Sequence, residues 1–200
     1  MIKQKYNLSI AEEMSYDEDI ICFWKPYGND KIGPHVFCQW YKTNFIDENN
    51  IKFSCTEQYM MFKKAMLFGD KQIAYKILSE TDPSKMKKYG RLIKNFDDKI
   101  WNENKFTIVY NGNYLKFTQN DELKKYIKST GNSILVEASP YDNIWGVKLS
   151  ADNDDILYPE KWKGENLLGF SLMQVRDDIK NTNGEIKDID EDEIRTFMQG

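Results

Sequence analysis

The sequence predicts an α+β fold: a single helix-rich domain with a small β-sheet. Three observations predict it. Apolar residues recur at helical spacing in several capped segments between residues 54 and 128, and again after residue 166. Strand-like runs are few and short, the clearest being Ile134-Leu-Val136. Strands and helices do not alternate as in βαβ units, so a doubly wound sheet is not expected.

The elements follow in order. Residues 1–19 are polar and turn acidic, so an N-terminal extension is expected. Residues 20–24 form a short apolar run suited to a strand. Pro26-Tyr-Gly28 and Gly33-Pro34 punctuate a loop, and the mixed aromatic and polar stretch 36–45 is expected to hold a second strand. Asp47-Glu-Asn-Asn50 reads as a turn before a strand stub at 51–53. A helix then runs from Ser54 to about Phe68 and stops at Gly69. The next is capped near Asp70, with Ile73, Ala74, Ile77 and Leu78 facing inward.

Asp82-Pro83 opens a short helix, because proline fits a first turn, and Gly90 suits its end. Asp97 opens another, with Ile100, Trp101, Ile108 and Val109 at helical spacing, and Asn111-Gly-Asn113 marks a turn. The segment 121–128 is a helix with Leu123, Tyr126 and Ile127 inward and Gly131 beyond it. Residues 133–139 make a buried strand, 140–165 a long loop. Asn166 caps a final helix whose inner face is Leu168, Leu172, Val175 and Ile179. The domain is expected over 20–180, with an acidic tail at 181–200.

Apolar residues make up 40% of the 200, enough for a real core. The net charge of −4 sits in the tail. Residues 184–200 hold six acids against two bases, which leaves residues 1–183 formally neutral. A neutral body lacks the basic field of a strong duplex binder, though it can carry a local basic pocket. A short helix is expected within the tail, around residues 191–198. Three widely spaced cysteines, Cys22, Cys38 and Cys55, suit a reducing compartment rather than a disulfide framework. With no apolar run of membrane-spanning length and no signal pattern, a cytoplasmic protein without a membrane partner is expected. The lone His35 cannot build a His-rich metal site and is read as structural or solvent-exposed, so neither a metal nor a cofactor is expected.

Several motifs are missing: the Walker lysine loop, GxGxxG before a helix, HExxH and GxSxG. Three stretches could carry chemistry. In Ser54-Cys-Thr-Glu57-Gln-Tyr-Met-Met61-Phe-Lys-Lys64 the seven-residue spacing puts Glu57, Met61 and Lys64 on one helix face. A carboxylate and an amine there can polarise each other, yet Ser54-x-x-Glu57 also reads as a capping box. Arg91, after Gly90 at a helix end, suits either a phosphate or a surface salt bridge. Asp142, in the loop Asp142-Asn-Ile-Trp145-Gly146 after a buried strand, suits either a functional loop or a turn that bonds its own backbone.

Together these pieces resemble the YbiA/NADAR family of N-glycosidases from about Cys22 to Ile179. The stretch from Phe53 to Lys64, Gly90-Arg91, Trp101, Leu135-Val-Glu137, Asp142 to Gly146, and Trp162-Lys-Gly164-Glu-Asn166-Leu-Leu168-Gly169 on to Arg176 occur in a family-like order. Two departures stand out. Val36-Phe37-Cys38-Gln39-Trp40 replaces the family's Ser-Asn-Phe stretch, and 150–161 lengthens the loop before Gly164.

The resemblance implies cleavage of a ribosyl C1–N bond. The substrate would be ADP-ribose on guanine in DNA or RNA, or a phosphoribosylamino-pyrimidine intermediate of riboflavin synthesis. It implies Glu57, Lys64 and Asp142 as catalytic residues. Trp101, Trp145, Arg91, Gly146 and Asn166 would bind substrate. The competing reading is a non-catalytic module that binds ADP-ribose or a related nucleotide.

Overall fold

The computed structural model describes residues 2–29 and 31–181. The acidic segment 182–200, with the short helix expected in it, lies outside the described residues.

The fold is helix-rich α+β, as the sequence predicts, and its two sheets are each a single pair of strands. Strand β1 (Ile20–Phe23) pairs in parallel with β4 (Ile134–Glu137), with Ile20 opposite Ile134 and Phe23 opposite Glu137. Strands β2 (Phe45–Ile46) and β3 (Lys52–Phe53) form an antiparallel hairpin across the expected turn, where Asn50 takes a φ of 60°. The stretch 36–45 is mostly not a strand. Pro34–Phe37 form a 3-10 turn instead, and only Phe45 joins a sheet. The reason is Lys116, fully buried, whose ammonium takes the carbonyls of Val36 and Cys38 at 2.5 and 3.2 Å. A strand there would need those carbonyls for a neighbouring strand.

Helix α1 is Leu8–Met14, α2 Thr56–Leu67, α3 Lys71–Leu78, α4 Pro83–Gly90, α5 Asp98–Thr118, α6 Asp121–Ser129 and α7 Leu167–Asn181. The predicted caps at Asp70, Asp82 and Asp97 all accept backbone N–H groups of the first turn. Helix α2 lies at the centre and buries an unbroken run from Thr56 to Phe62, packing against α3, α4 and α5. A helix buried all round is positioned by its neighbours rather than by one apolar stripe.

Two local readings give way to packing. Asn111-Gly-Asn113 is not a turn, and α5 runs through it. A Cβ on Gly112 would lie 2.7 Å from the Tyr59 ring, so the missing side chain is what lets α5 press against α2. Residues 2–19 are not a loose extension either. Ala11 is 1% exposed, the Lys5 N–H donates to Gln174 Oε1, and the Tyr6 hydroxyl donates to Asp177 at 2.6 Å.

Candidate active site

The site forms where α2 begins, α4 ends and β4 stops. The capping box expected at the start of α2 does not form. Ser54 donates through its N–H and hydroxyl to Gln58 Oε1, and its hydroxyl oxygen does not accept the Glu57 N–H. The carbonyl of Gln39, from the preceding loop, takes the Glu57 N–H at 2.9 Å and the Thr56 hydroxyl at 3.2 Å. With the Ser54 N–H held by Gln58, the Glu57 carboxyl is released from capping its own helix.

The Glu57 side chain is 3% exposed. The Trp40 indole Nε1 donates to its Oε2 at 3.2 Å, while Oε1 is buried with no partner. Burial pushes the carboxyl up to about 7. Lys87, the Trp40 hydrogen bond and Arg91 pull it down, and Asp142 pushes it further up.

Glu137 closes β4. Its N–H donates to Asn166 Oδ1 at 3.0 Å, and its carbonyl accepts from Ser139 and Val147. Its Oε2 is buried and unpartnered. Burial pushes this carboxyl up to about 8, reinforced by Asp142 and Glu57 and opposed by Lys87.

Asp142 supplies a third carboxylate within electrostatic reach of both. Its Oδ1 accepts the N–H groups of Ile144 and Trp145 at 2.9 and 2.8 Å. The turn reading of Asp142 is therefore correct for one oxygen, and it fixes where the other stands. Lys64 leans over the rings of Phe96 and Trp101, at 4.2 and 5.1 Å, and donates to the Gly90 carbonyl at 3.2 Å. Burial lowers its amine, which the charges of Asp98 and Glu57 partly offset. A cavity of about 360 Å³, lined by Pro26, Trp40, Tyr41, Lys42 and Pro83, meets the Glu57 neighbourhood at Trp40. Among the described residues no group of three metal-ligating side chains is gathered closely enough to hold an ion.

The NADAR domain model matches residues 22–180. The chain belongs to the NADAR family. It is 41% identical over 166 residues to N-glycosidase R617 of Acanthamoeba polyphaga mimivirus, covering 81% of this chain and 98% of that one. It is 29% identical over 184 residues to the riboflavin biosynthesis protein PYRR of Zea mays, covering 87% of this chain but only 27% of that one. The solved structure of the Escherichia coli protein YbiA superposes with a TM-score of 0.66 at 22% identity, over 86% of this chain and 92% of that one, and shares the fold.

In this NADAR domain, Glu57 and Asp142 fall within reach of each other's charge, and Lys64 and Arg91 within reach of Glu57. Trp101 packs under Lys64, and Trp145 is half-buried in the Asp142 turn. Two residues expected to bind substrate have packing roles in the fold. Asn166 is fully buried, with its amide spent on the Leu135 carbonyl and the Glu137 N–H, so it fastens α7 to β4. It also does not cap α7 with its side chain. A Cβ on Gly146 would lie 2.7 Å from the Glu137 carbonyl, so this glycine packs the loop under the strand end.

Sequence reasoning did not single out Glu137, Lys87 and Trp40 for the site. Glu137 carried a usable signal, a carboxylate ending an otherwise apolar strand. Lys87 carried a weaker one, four residues before Arg91 at the same helix end. Trp40 stood in the segment that departs from the family pattern, and only its contact with Glu57 reveals it.

Proposed function

We infer that this protein is an N-glycosidase that hydrolyses a ribosyl C1–N bond. The observation that carries this is the meeting of Glu57 and Asp142, each in the other's electrostatic field, at a buried helix start flanked by Lys87 and Arg91. Membership of the NADAR family and the similarity to N-glycosidase R617 over 98% of its length support it.

Breaking the C1–N bond builds positive charge on the ribose carbon and negative charge on the departing nitrogen. Carboxylates of Glu57 and Asp142 beside C1 stabilise the first and accept the proton of the attacking water. Arg91, exposed at the end of α4, and Lys87 hold phosphate. Trp101 and Trp145 stack on the flat parts of the ligand. Lys64, with its amine lowered by burial, is the alternative nucleophile: it would add to C1 of an opened ribose and expel the base to leave an imine that water then hydrolyses.

The substrate favoured is ADP-ribose joined to guanine in single-stranded DNA or RNA. Tyr141, next to Asp142 in the chain, lies 5.9 Å from the Trp24 ring, and Lys25 stands over that ring at 4.9 Å, an aromatic and cationic pairing suited to stacking a further base. The phosphoribosylamino-pyrimidines of riboflavin synthesis are the second reading, favoured by the similarity to PYRR over 87% of this chain. A non-catalytic nucleotide-binding module would have no use for buried, partnerless carboxyl oxygens, which are costly to keep. The three cysteines are unpaired, which fits a reducing, cytoplasmic setting.

The direct test is incubation with an ADP-ribosylated guanine oligonucleotide and, separately, with the phosphoribosylamino-pyrimidines, following base release. Release from the first assigns the favoured substrate, and release from the second alone assigns the other. Tight binding with no release from either overturns the enzyme reading in favour of the module.

A further inference from the structure

The chemistry above needs a group to protonate the departing nitrogen, and Glu57 and Asp142 are both committed to the C1 side. Glu137 is the third carboxyl of the cluster. It lies at the end of a strand whose backbone is held on both sides, by Asn166 through its N–H and by Ser139 and Val147 through its carbonyl. Such fixing leaves the side chain few positions. One of its oxygens is buried without a donor among the described residues, so no hydrogen bond compensates a negative charge there.

The groups whose fields it shares come from every side: Glu57 on α2, Lys87 on α4, Asp142 in the loop after β4, and the Cys38 thiol before Trp40. No cation pairs with it among the ion pairs of the described residues. Three carboxyls in one field do not all ionise, and the one that no donor or ion pair compensates keeps its proton.

We propose that Glu137 is the general acid of the site, delivering its proton to the leaving nitrogen of the base. This rests on the N-glycosidase reading. As the C1–N bond breaks, its electron pair goes to nitrogen, which takes the Glu137 proton. Water adds to C1 and gives up a proton to the Glu57 carboxylate. The cluster then holds the same number of protons as before, one carboxyl over, and exchange through solvent resets it. Burial holding Glu137 up to about 8 keeps the acid form present at neutral pH, while Glu57, up to about 7, is present in part as the ionised base.

The test compares wild type, Glu137→Gln and Glu137→Asp on whichever N-glycoside wild type cleaves, and on 4-nitrophenyl ribofuranoside 5-phosphate, whose leaving group needs no proton. Expected is a loss of about a hundredfold or more in kcat/KM for Glu137→Gln on the N-glycoside. On the nitrophenyl substrate the same variant stays within a few-fold of wild type. The fall in wild-type rate above about pH 8 disappears in Glu137→Gln and returns, shifted, in Glu137→Asp. Equal losses on both substrates, or no loss on either, overturn the assignment. Should Glu137→Gln not fold, a wild-type profile with no fall in rate on the alkaline side overturns it. Wild type that cleaves neither N-glycoside sinks the enzyme reading itself, a result distinct from failure of Glu137 alone.

Discussion

The Trp40 indole donates to Glu57 Oε2 at 3.2 Å, and among the described residues this is the only hydrogen bond that the Glu57 carboxyl receives. Trp40 thus favours the ionised form that burial resists. Trp40→Phe keeps an aromatic ring and removes the donor, so the Glu57 carboxyl titrates higher than about 7. The acid-side limb of the pH profile of kcat/KM moves to higher pH, and activity at pH 6.5 falls by more than activity at pH 8.5. An unmoved limb in this variant would separate Glu57 from the limb.

Glu57→Gln keeps the shape and loses the base. Turnover drops by about a hundredfold or more, and near-normal activity would remove Glu57 from the chemistry. The variant also shifts stability in a defined direction. Wild-type Glu57 binds its proton more tightly folded than unfolded, so wild type loses stability as pH rises from about 4.5 through about 7. Thermal or denaturant unfolding at pH 8.5 is expected to find Glu57→Gln more stable, by roughly 3 kcal/mol. The gap closes below pH 4.5.

Lys64 lies over Phe96 and Trp101 with its amine lowered by burial. Borohydride added during turnover should trap a ribosyl adduct on this lysine, read by mass spectrometry of the digested protein. Lys64→Ala should give no adduct and lose activity. An absent adduct in wild type, with activity surviving Lys64→Ala, leaves Lys64 as a wall of the pocket only.

Gly112→Ala tests how α5 meets α2. Helix propensity alone favours alanine by about 1 kcal/mol. The new Cβ would lie 2.7 Å from the Tyr59 ring, deep in the core, so overpacking outweighs it, at about 1–3 kcal/mol. Net destabilisation in denaturant titration is the expected result, and a stabilised variant would mean that Tyr59 moves aside freely.

Most of the frame could be read from neighbouring residues. Asp70, Asp82 and Asp97 announced three helix starts, Ile134 to Val136 a buried strand, and the seven-residue spacing put Glu57 and Lys64 on one face. Such signals work because caps and periodicities depend on residues a few positions apart. Only the tertiary structure decided what those residues do. Ser54 and Glu57 had the pattern of a capping box, but the Gln39 carbonyl took the Glu57 N–H and Gln58 took the Ser54 N–H, which freed the glutamate side chain. Asn111-Gly-Asn113 had the pattern of a turn, but the Tyr59 ring needed the space over Gly112. Asn166 looked like a cap or a ligand contact, and β4 claimed its amide. Glu137 joined the cluster because strand pairing and α7 carry it there. Partners distant in sequence compete for the same atoms only once the chain is packed, and burial then sets which carboxyl keeps its proton.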